Sequence, residues 1–340
     1  MSSIDITYCP GTLAAGFNTY SPTCIKRVFN GRKVSHVLPY NAPDVSEEDS
    51  EIFLQNRKRI SVSGVQEKVS LILEKNKLRL TEEGEQGAYI LKPVPRDVFK
   101  AGQVPANEHL TMQIARQVYN IKTAENALVF FKNGEPAYLT KRFDVAENGK
   151  KIGKEDFATL AGKTAETAGP NFKYEYSYEQ MAELIKQFIP AAAIELEKLF
   201  SLIIFNYLLS NGDAHLKNFG IIETPLGDYI LSPAYDLLNT SLHVEDAAVA
   251  LSEGLFKDGY YSESYETIGF LAYDDFYEFG LRIGLMKPRV VKILDKFRAE
   301  KESVKILTKH SFFNEGMKMA YLDSYYERLK ALNYSVNNLD

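Results

Sequence analysis

Asn211-Gly212-Asp213-Ala214-His215-Leu216-Lys217-Asn218, with Tyr235-Asp236 further on, is the stretch from which the rest of the chain is read. Asp213 stands five residues before Asn218, and Asp236 stands eighteen residues after it. That spacing suits phosphoryl transfer. One carboxylate orients the attacking hydroxyl and accepts its proton, while an Asn amide and a second carboxylate hold the magnesium ions that bridge nucleotide phosphates. These are hard oxygen donors, as Mg²⁺ requires. Asp-x4-Asn recurs by chance in many proteins, so the flanking sequence carries the decision.

Upstream, Leu196 to Ser210 is apolar on almost every face, which predicts a core helix stopped by Asn211-Gly212. The run is too short and too interrupted to span a bilayer. Downstream, Phe219 to Ile222 and Tyr229 to Leu231 flank a turn at Thr224-Pro225-Leu226-Gly227-Asp228, which predicts a hairpin. Its second strand delivers Ser232-Pro233-Ala234-Tyr235-Asp236 and returns Asp236 to the side of Asn218. Core helix, catalytic loop, hairpin and metal-binding Asp occur in that order in the large lobe of protein kinases. Taken singly, Asp213 and Asn218 also read as loop formers and Asp236 as a helix cap. The set is what points to phosphoryl transfer.

The other half of such a site needs a phosphate-covering loop and a cation. Ile60-Ser61-Val62-Ser63-Gly64-Val65-Gln66-Glu67-Lys68 leads into an alternating strand at 69–73, with a partner strand at 78–80. Small residues between strands let backbone N–H groups approach phosphate oxygens, although one glycine is a thin signal. Ala88-Tyr89-Ile90-Leu91-Lys92 predicts a strand with a lysine at its end, where the α- and β-phosphates need a cation. Asn107-Glu108 opens a helical stripe through Leu110, Ile114 and Val118. Asn107 reads as its cap, and Glu108 reads either as a first-turn carboxylate or as the ion-pair partner of Lys92. A second hairpin is expected from Ala127 to Phe131 and Pro136 to Thr140, around Asn133-Gly134. It exits through Lys141-Arg142-Phe143-Asp144, where a connector between two lobes belongs.

Together these motifs resemble the HipA-like serine/threonine kinases, the toxin components of bacterial toxin–antitoxin modules. The resemblance rests on residues 61–68, 89–93, 107–109, 141–144, 155–157, 211–219 and 233–237, in family order. It implies an α+β, bilobal, protein-kinase-like fold: a β-rich N-terminal lobe over 1–144, including a short extension at 1–55, and a helical C-terminal lobe over 145–340. It implies ATP between the lobes, with Ser63, Gly64, Val65, Gln66, Glu67 and Lys68 over the phosphates and Lys92 on them. Backbone groups of Lys141 and Phe143, flanking Arg142, would meet the adenine. His215, Leu216, Lys217, Asn218, Tyr235 and Asp236 would complete the nucleotide and magnesium site, Asn218 and Asp236 holding the metal and Asp213 acting as catalytic base. The family also implies autophosphorylation of Ser61 or Ser63. Sixty residues precede Ser61, too few for the extra N-terminal subdomain of longer members. The chain thus looks like the short HipT-type variant, whose missing subdomain is a separate small HipS-like protein. The other implied partners are a HipB-like helix-turn-helix antitoxin and, as protein substrate, an aminoacyl-tRNA synthetase.

Composition bounds the alternatives. The 340 residues fit two lobes better than one core, and the 45% hydrophobic fraction is ordinary for a globular chain. A net charge of −5 leaves no electrostatic footprint for direct nucleic-acid binding. Cys9 and Cys24 lack the partners of a zinc site and read as plain buried residues of a cytoplasmic protein. Residues 243–280 carry nine acidic side chains against Lys257 alone, which reads as a solvated surface or as a docking face for a basic partner. Leu281 to Phe297 and Met317 to Leu332 have helical periodicity. Two other functions stay open at this point: within enzymes, a small-molecule kinase of the aminoglycoside-phosphotransferase kind, and, from another class, a catalytically silent binding subunit. Ser61 to Lys68 argue against the first. Lys92, Asp213, Asn218 and Asp236 together argue against the second.

Overall fold

The computed structural model describes residues 6–42, 67–96 and 98–337. Ser61, Ser63, Gly64, Val65 and Gln66 of the expected phosphate loop lie outside the described residues, as does 43–55 of the expected extension. The chain gathers into two compact units, each built from separate stretches. One comprises Met1–Ile114, Ala124–Lys151 and Ser303–Lys318; the other comprises Ala115–Thr123, Ile152–Glu302 and Met319–Asp340. A single cut at 144/145 differs from this partition at three places, 115–123, 145–151 and 303–318, and aromatic packing accounts for the first and the last. Tyr119 stacks on Phe297 at 4.8 Å and meets Phe205 edge-on, which places its stretch in the second unit. His310 stacks on Tyr8 at 4.2 Å, which places its stretch in the first.

The first unit is organised by an antiparallel five-stranded sheet of order β2-β1-β3-β5-β4. The strands are β1 (Val69–Glu74), β2 (Lys77–Leu80), β3 (Tyr89–Lys92), β4 (Asn126–Phe130) and β5 (Pro136–Lys141). Lys75 and Asn76 both take positive φ, which gives the tight β1–β2 turn a twist that matches its strands. Leu71, Leu91, Leu139 and Val129 share a buried core with Tyr20, Cys24, Val28 and Phe29, contributed in part by α1 (Pro22–Val28). Cys9 and Cys24 are free and buried. Because side chains alternate across a strand, Lys92 leaves the sheet on the face opposite Leu91, beside its register partner Tyr138.

Helix α2 spans Val104–Gln117, entered through a 3₁₀ turn at Ala101–Gln103. Asn107 is therefore inside the helix, not its cap. Pro105 lacks an N–H and is pre-set for a first helical turn, so the helix starts earlier than the apolar stripe suggests. The buried Asn107 side chain instead accepts a hydrogen bond from Thr111 Oγ1.

In the second unit, α3 (Tyr178–Phe188) packs on α4 (Ala192–Leu208), whose buried Leu199, Phe200, Ile203, Ile204 and Phe205 make it a core helix. A three-stranded sheet of order β6-β7-β8 follows the expected hairpin, β7 (Gly220–Glu223) pairing with β8 (Tyr229–Leu231) in the register Ile222↔Ile230. The third strand, β6 (Lys154–Asp156), pairs with β7 on the other side. The expected helix at 281–297 is two helices, α5 (Tyr273–Arg282) and α6 (Lys287–Arg298). Gly284 at φ +94 breaks the chain between them, and Pro288 suits the first turn of the second. The remaining long helices are α7 (Glu302–His310) and α8 (Glu315–Leu332). Two acids of the 243–280 tract, Asp274 and Asp275, are buried, and Asp258 and Glu278 are held by Arg282. Exposed Glu245, Asp246, Glu253, Glu263 and Glu266 read as a solvated surface. Among the described residues no helix is long and apolar enough to cross a membrane.

Candidate functional site

In the first unit the lysine at the end of β3 is held by a side chain of its own unit. Lys92 Nζ donates to Glu108 Oε1 at 2.7 Å, and the two side chains keep 5% and 2% of their surface. The same ammonium lies 5.4 Å from the Tyr138 ring centroid, a cation–π contact. The helix start at Val104 places Glu108 beyond the first turn, so pairing and not dipole complementation describes this carboxylate. Glu67 and Lys68 precede β1 at the edge of the described residues.

The connector after β5 is partly spent within its own unit. Lys141 N–H donates to Glu125 O at 2.7 Å, and its ammonium binds Asn30 Oδ1. That N–H is not available to an adenine. Arg142 N–H donates to Ala88 O, and its guanidinium grips Asp144 through two bonds of 2.9 and 2.6 Å.

In the second unit α4 ends into Ser210 at φ +51, and the loop is then tied down residue by residue. Asn211 N–H donates to Asn206 O, and its side-chain amide donates to Asn206 Oδ1 at 2.8 Å. Gly212 N–H donates to Thr240 Oγ1 at 2.8 Å. A Cβ at Gly212 would stand 2.5 Å from both the Ala247 carbonyl oxygen and Asp246 Cβ, so this close approach admits only glycine. Asp213 follows, and Tyr174 donates its hydroxyl to Asp213 Oδ1 at 2.6 Å. The Asp213 side chain still keeps 46% of its surface open.

His215 Nε2 lies 3.9 Å from Asp213 Oδ1, but burial, with Lys173 adding to it, depresses the imidazole pKa to about 3. The ring is neutral at ordinary pH, so this contact is not an ion pair. Leu216–Asn218 form a 3₁₀ turn in which Asn218 N–H donates to His215 O. Its side-chain amide donates to Asp236 Oδ2 at 3.4 Å. Tyr235 donates its hydroxyl to Lys217 O at 2.9 Å, and Lys154 caps the Tyr235 ring at 4.4 Å. Catalytic-loop and hairpin-end motifs, eighteen residues apart in sequence, thus meet.

Two features of this junction suit a cation. Asn218 Oδ1 is buried and has no hydrogen-bond partner. A buried acceptor left bare costs roughly 1–3 kcal/mol, which a coordinated cation would offset. Asp236 sits at φ +56, a left-handed conformation uncommon outside glycine, which fixes the direction in which its carboxylate leaves the chain. Asn218 Oδ1 and the Asp236 carboxylate are a donor set that fits Mg²⁺. No group of three or more His, Cys, Asp or Glu gathers as a metal cage among the described residues. Magnesium needs none, since it keeps several waters and takes one or two carboxylates plus substrate phosphates.

Sequence reasoning missed three supports of this site. Tyr174 lies in an irregular stretch 39 residues before Asp213 and carries no periodic signal; the alternation Tyr174-Glu175-Tyr176-Ser177-Tyr178 is the one clue. Tyr178 donates its hydroxyl to Ala214 O at 2.8 Å. Glu195, buried in the first turn of α4, accepts from Leu231 N–H at 3.0 Å and so anchors the strand that delivers Asp236.

Comparison with known proteins agrees with this architecture. The HipA-like C-terminal domain family matches residues 60–304, well over half of the chain. A Haemophilus influenzae protein named "Putative kinase" is 31% identical over 297 residues, covering 82% of this chain and 83% of the relative. A Sinorhizobium fredii relative, "Putative kinase Y4mE", is 31% identical over 196 residues, covering 55% of this chain and 44% of its own. Among solved structures, Shewanella oneidensis HipA, in complex with HipB and its operator DNA, superposes with a TM-score of 0.58 at 19% identity, over 79% of this chain and 63% of that longer one. The Helicobacter pylori proinflammatory kinase CtkA gives a TM-score of 0.50 at 16% identity, over 77% of this chain and 93% of that one. With the family matched across both units and the fold shared with two kinases, the chain belongs to the HipA-like kinase family.

Proposed function

We propose that this protein is an ATP- and Mg²⁺-dependent serine/threonine protein kinase that acts as the toxin of a toxin–antitoxin module. One observation carries the chemistry. The loop from Asp213 to Asn218 presents an open carboxylate at one end, and at the other a bare amide oxygen beside the Asp236 carboxylate. In this reading Asp213 orients the acceptor hydroxyl and takes its proton as the phosphoryl group transfers. Asn218 Oδ1 and Asp236 hold magnesium, which when bound neutralises charge on the nucleotide phosphates. Lys92, held by Glu108, serves the α- and β-phosphates, with Ser63 to Lys68 covering them. Phe143 and the carbonyl side of the 141–143 connector serve the adenine. Neutral His215 adds packing and no charge beside the base.

The biological role rests on the family. The HipB in the Shewanella structure supports a HipB-like antitoxin as partner. A separate HipS-like protein, an aminoacyl-tRNA synthetase as substrate, and control by autophosphorylation at Ser61 or Ser63 follow from the resemblance of the 61–68 loop. Labelled ATP with Mg²⁺ and purified protein tests the chemistry. Asp213→Ala and Asp236→Ala are expected to abolish phosphate transfer to protein, autophosphorylation included, with melting temperatures near the parent's. Near-parental turnover in either variant overturns the assignment. Expression in bacteria tests the role: the parent is expected to arrest growth and Asp213→Ala is not.

A further inference from the structure

We propose that Tyr174 is a positioning residue for the base, its hydroxyl holding one oxygen of Asp213 so that the other is left for the acceptor. The proposal rests on the reading of Asp213 as base. The contact is short, 2.6 Å from the hydroxyl to Oδ1, as expected for an O–H bonded to a carboxylate. It is made by a side chain that is itself fixed on several sides. Lys173 O, one residue before, accepts from Leu216 N–H at 3.0 Å, so the tyrosine's own backbone is stitched to the catalytic loop. The Tyr174 ring stands edge-on to His215, with centroids 5.2 Å apart and planes at 77°. Its carbonyl accepts from Ser252 N–H at 2.8 Å, and Tyr178 N–H donates to Gly254 O at 3.1 Å, so residues 174–178 are backed by 252–254. Four residues on, Tyr178 donates to Ala214 O at 2.8 Å. One short segment therefore grips the loop at Asp213, Ala214 and Leu216.

Burial and the Asp213 charge raise the Tyr174 pKa, so the hydroxyl remains a donor throughout the working pH range. A carboxylate on a surface loop rotates about χ1 and χ2. Pinning one oxygen removes that freedom while 46% of the side chain stays open. Phosphoryl transfer relies on such alignment more than on covalent chemistry, so a fixed base acts on turnover and not on nucleotide affinity. A hydroxyl 2.6 Å from the base also describes a plug occupying the acceptor's place. Three independent anchors on the same segment favour a permanent support over a displaceable plug.

Tyr174→Phe removes the hydroxyl and keeps the ring against His215. The expected result is a kcat lower by roughly tenfold, the size of one hydrogen bond to a charged group, with unchanged KM for ATP and melting temperature. A parental kcat, a rise in kcat as for a plug removed, or a change confined to KM overturns the proposal. If Asp213→Ala is inactive while Tyr174→Phe turns over like the parent, only this inference fails. If Asp213→Ala retains turnover, the assignment of the base fails and this inference with it.

Discussion

The buried pair at Lys92 and Glu108 and the loop from Asp213 to Asn218 are opposite solutions to placing charge at a site. The pair is closed: an ammonium and a carboxylate 2.7 Å apart, almost without exposed surface. The loop is open: one carboxylate half in solvent, one amide oxygen buried and bare, one aspartate held at positive φ. A charge that must sit at one point on a strand can be fixed by a buried counter-ion, because the fold and the site ask the same thing of it. Groups that must take up a proton or a cation cannot be satisfied in advance, so the cost of leaving them bare is met by the rigid frame around them. Breaking the pair should therefore cost stability as well as nucleotide binding through Lys92, whereas changes in the open loop should act on turnover with little loss of stability.

Breaking the pair tests this most severely. Glu108→Ala removes a carboxylate 2.7 Å from a buried ammonium, and a loss of about 3–5 kcal/mol is expected in chemical denaturation. A drop under ~1 kcal/mol would mean that Lys92 reaches water or another partner readily, and the contrast with the loop would disappear. Next in size is Gly212→Ala. The added methyl would meet the Ala247 carbonyl and Asp246 Cβ at 2.5 Å, which backbone cannot yield cheaply, so about 1–3 kcal/mol is expected. Turnover should fall by more than stability does, since Asp213 is the next residue.

Asn218→Ala reverses the pattern. It deletes an oxygen that has no hydrogen-bond partner together with one long amide bond, 3.4 Å, to Asp236, so stability should change by no more than ~1 kcal/mol. The magnesium concentration needed for half-maximal turnover should rise severalfold, because one ligand of a largely hydrated ion is gone. An unchanged magnesium titration would remove Asn218 from the metal site.

Much of this contrast was legible in the sequence, for reasons tied to particular residues. The motif 211–218, the hairpin around Gly227 and the β4–β5 hairpin around Asn133-Gly134 are local: turn chemistry and period-2 alternation fix them within a few residues. Lys92 was legible as the lysine that ends the strand 88–92, where phosphates need a cation, and the sheet register then sets its face beside Tyr138. The choice for Glu108 between first turn and ion pair was not legible, since it hinged on where α2 begins and Pro105 moved that point to Val104. The break at Gly284 was hidden because apolar residues keep helical spacing across it. Tyr174 was beyond reach for a different reason. Its role is a long-range contact, and the tyrosine alternation at 174–178 does not encode which residue it meets.

The smallest effect at neutral pH separates the two regions by titration. His109, one residue after Glu108, and His215, two after Asp213, are both held near a pKa of about 3 by burial, against an ordinary value of 6.5. The unfolded chain protonates each near 6.5, while the folded chain resists until about 3, so between those values the unfolded state binds more protons. Stability from these groups is therefore complete above pH 6.5 and lost progressively as the pH falls below it. The loss approaches ~1.4 kcal/mol per pH unit for each histidine. Denaturation curves at pH 7 and pH 4.5 should show little difference between the parent and His215→Gln at the higher pH, and a shallower acid loss in the variant. His109→Gln should do the same for the region of the closed pair. His215 belongs to one compact unit and His109 to the other. If the units melt in separate transitions, each substitution should flatten the acid response of its own transition alone. If both substitutions flatten a single shared transition equally, the closed pair and the open loop stand or fall together, and the division of labour between stability and turnover lies in the chemistry of the groups and not in the units that carry them.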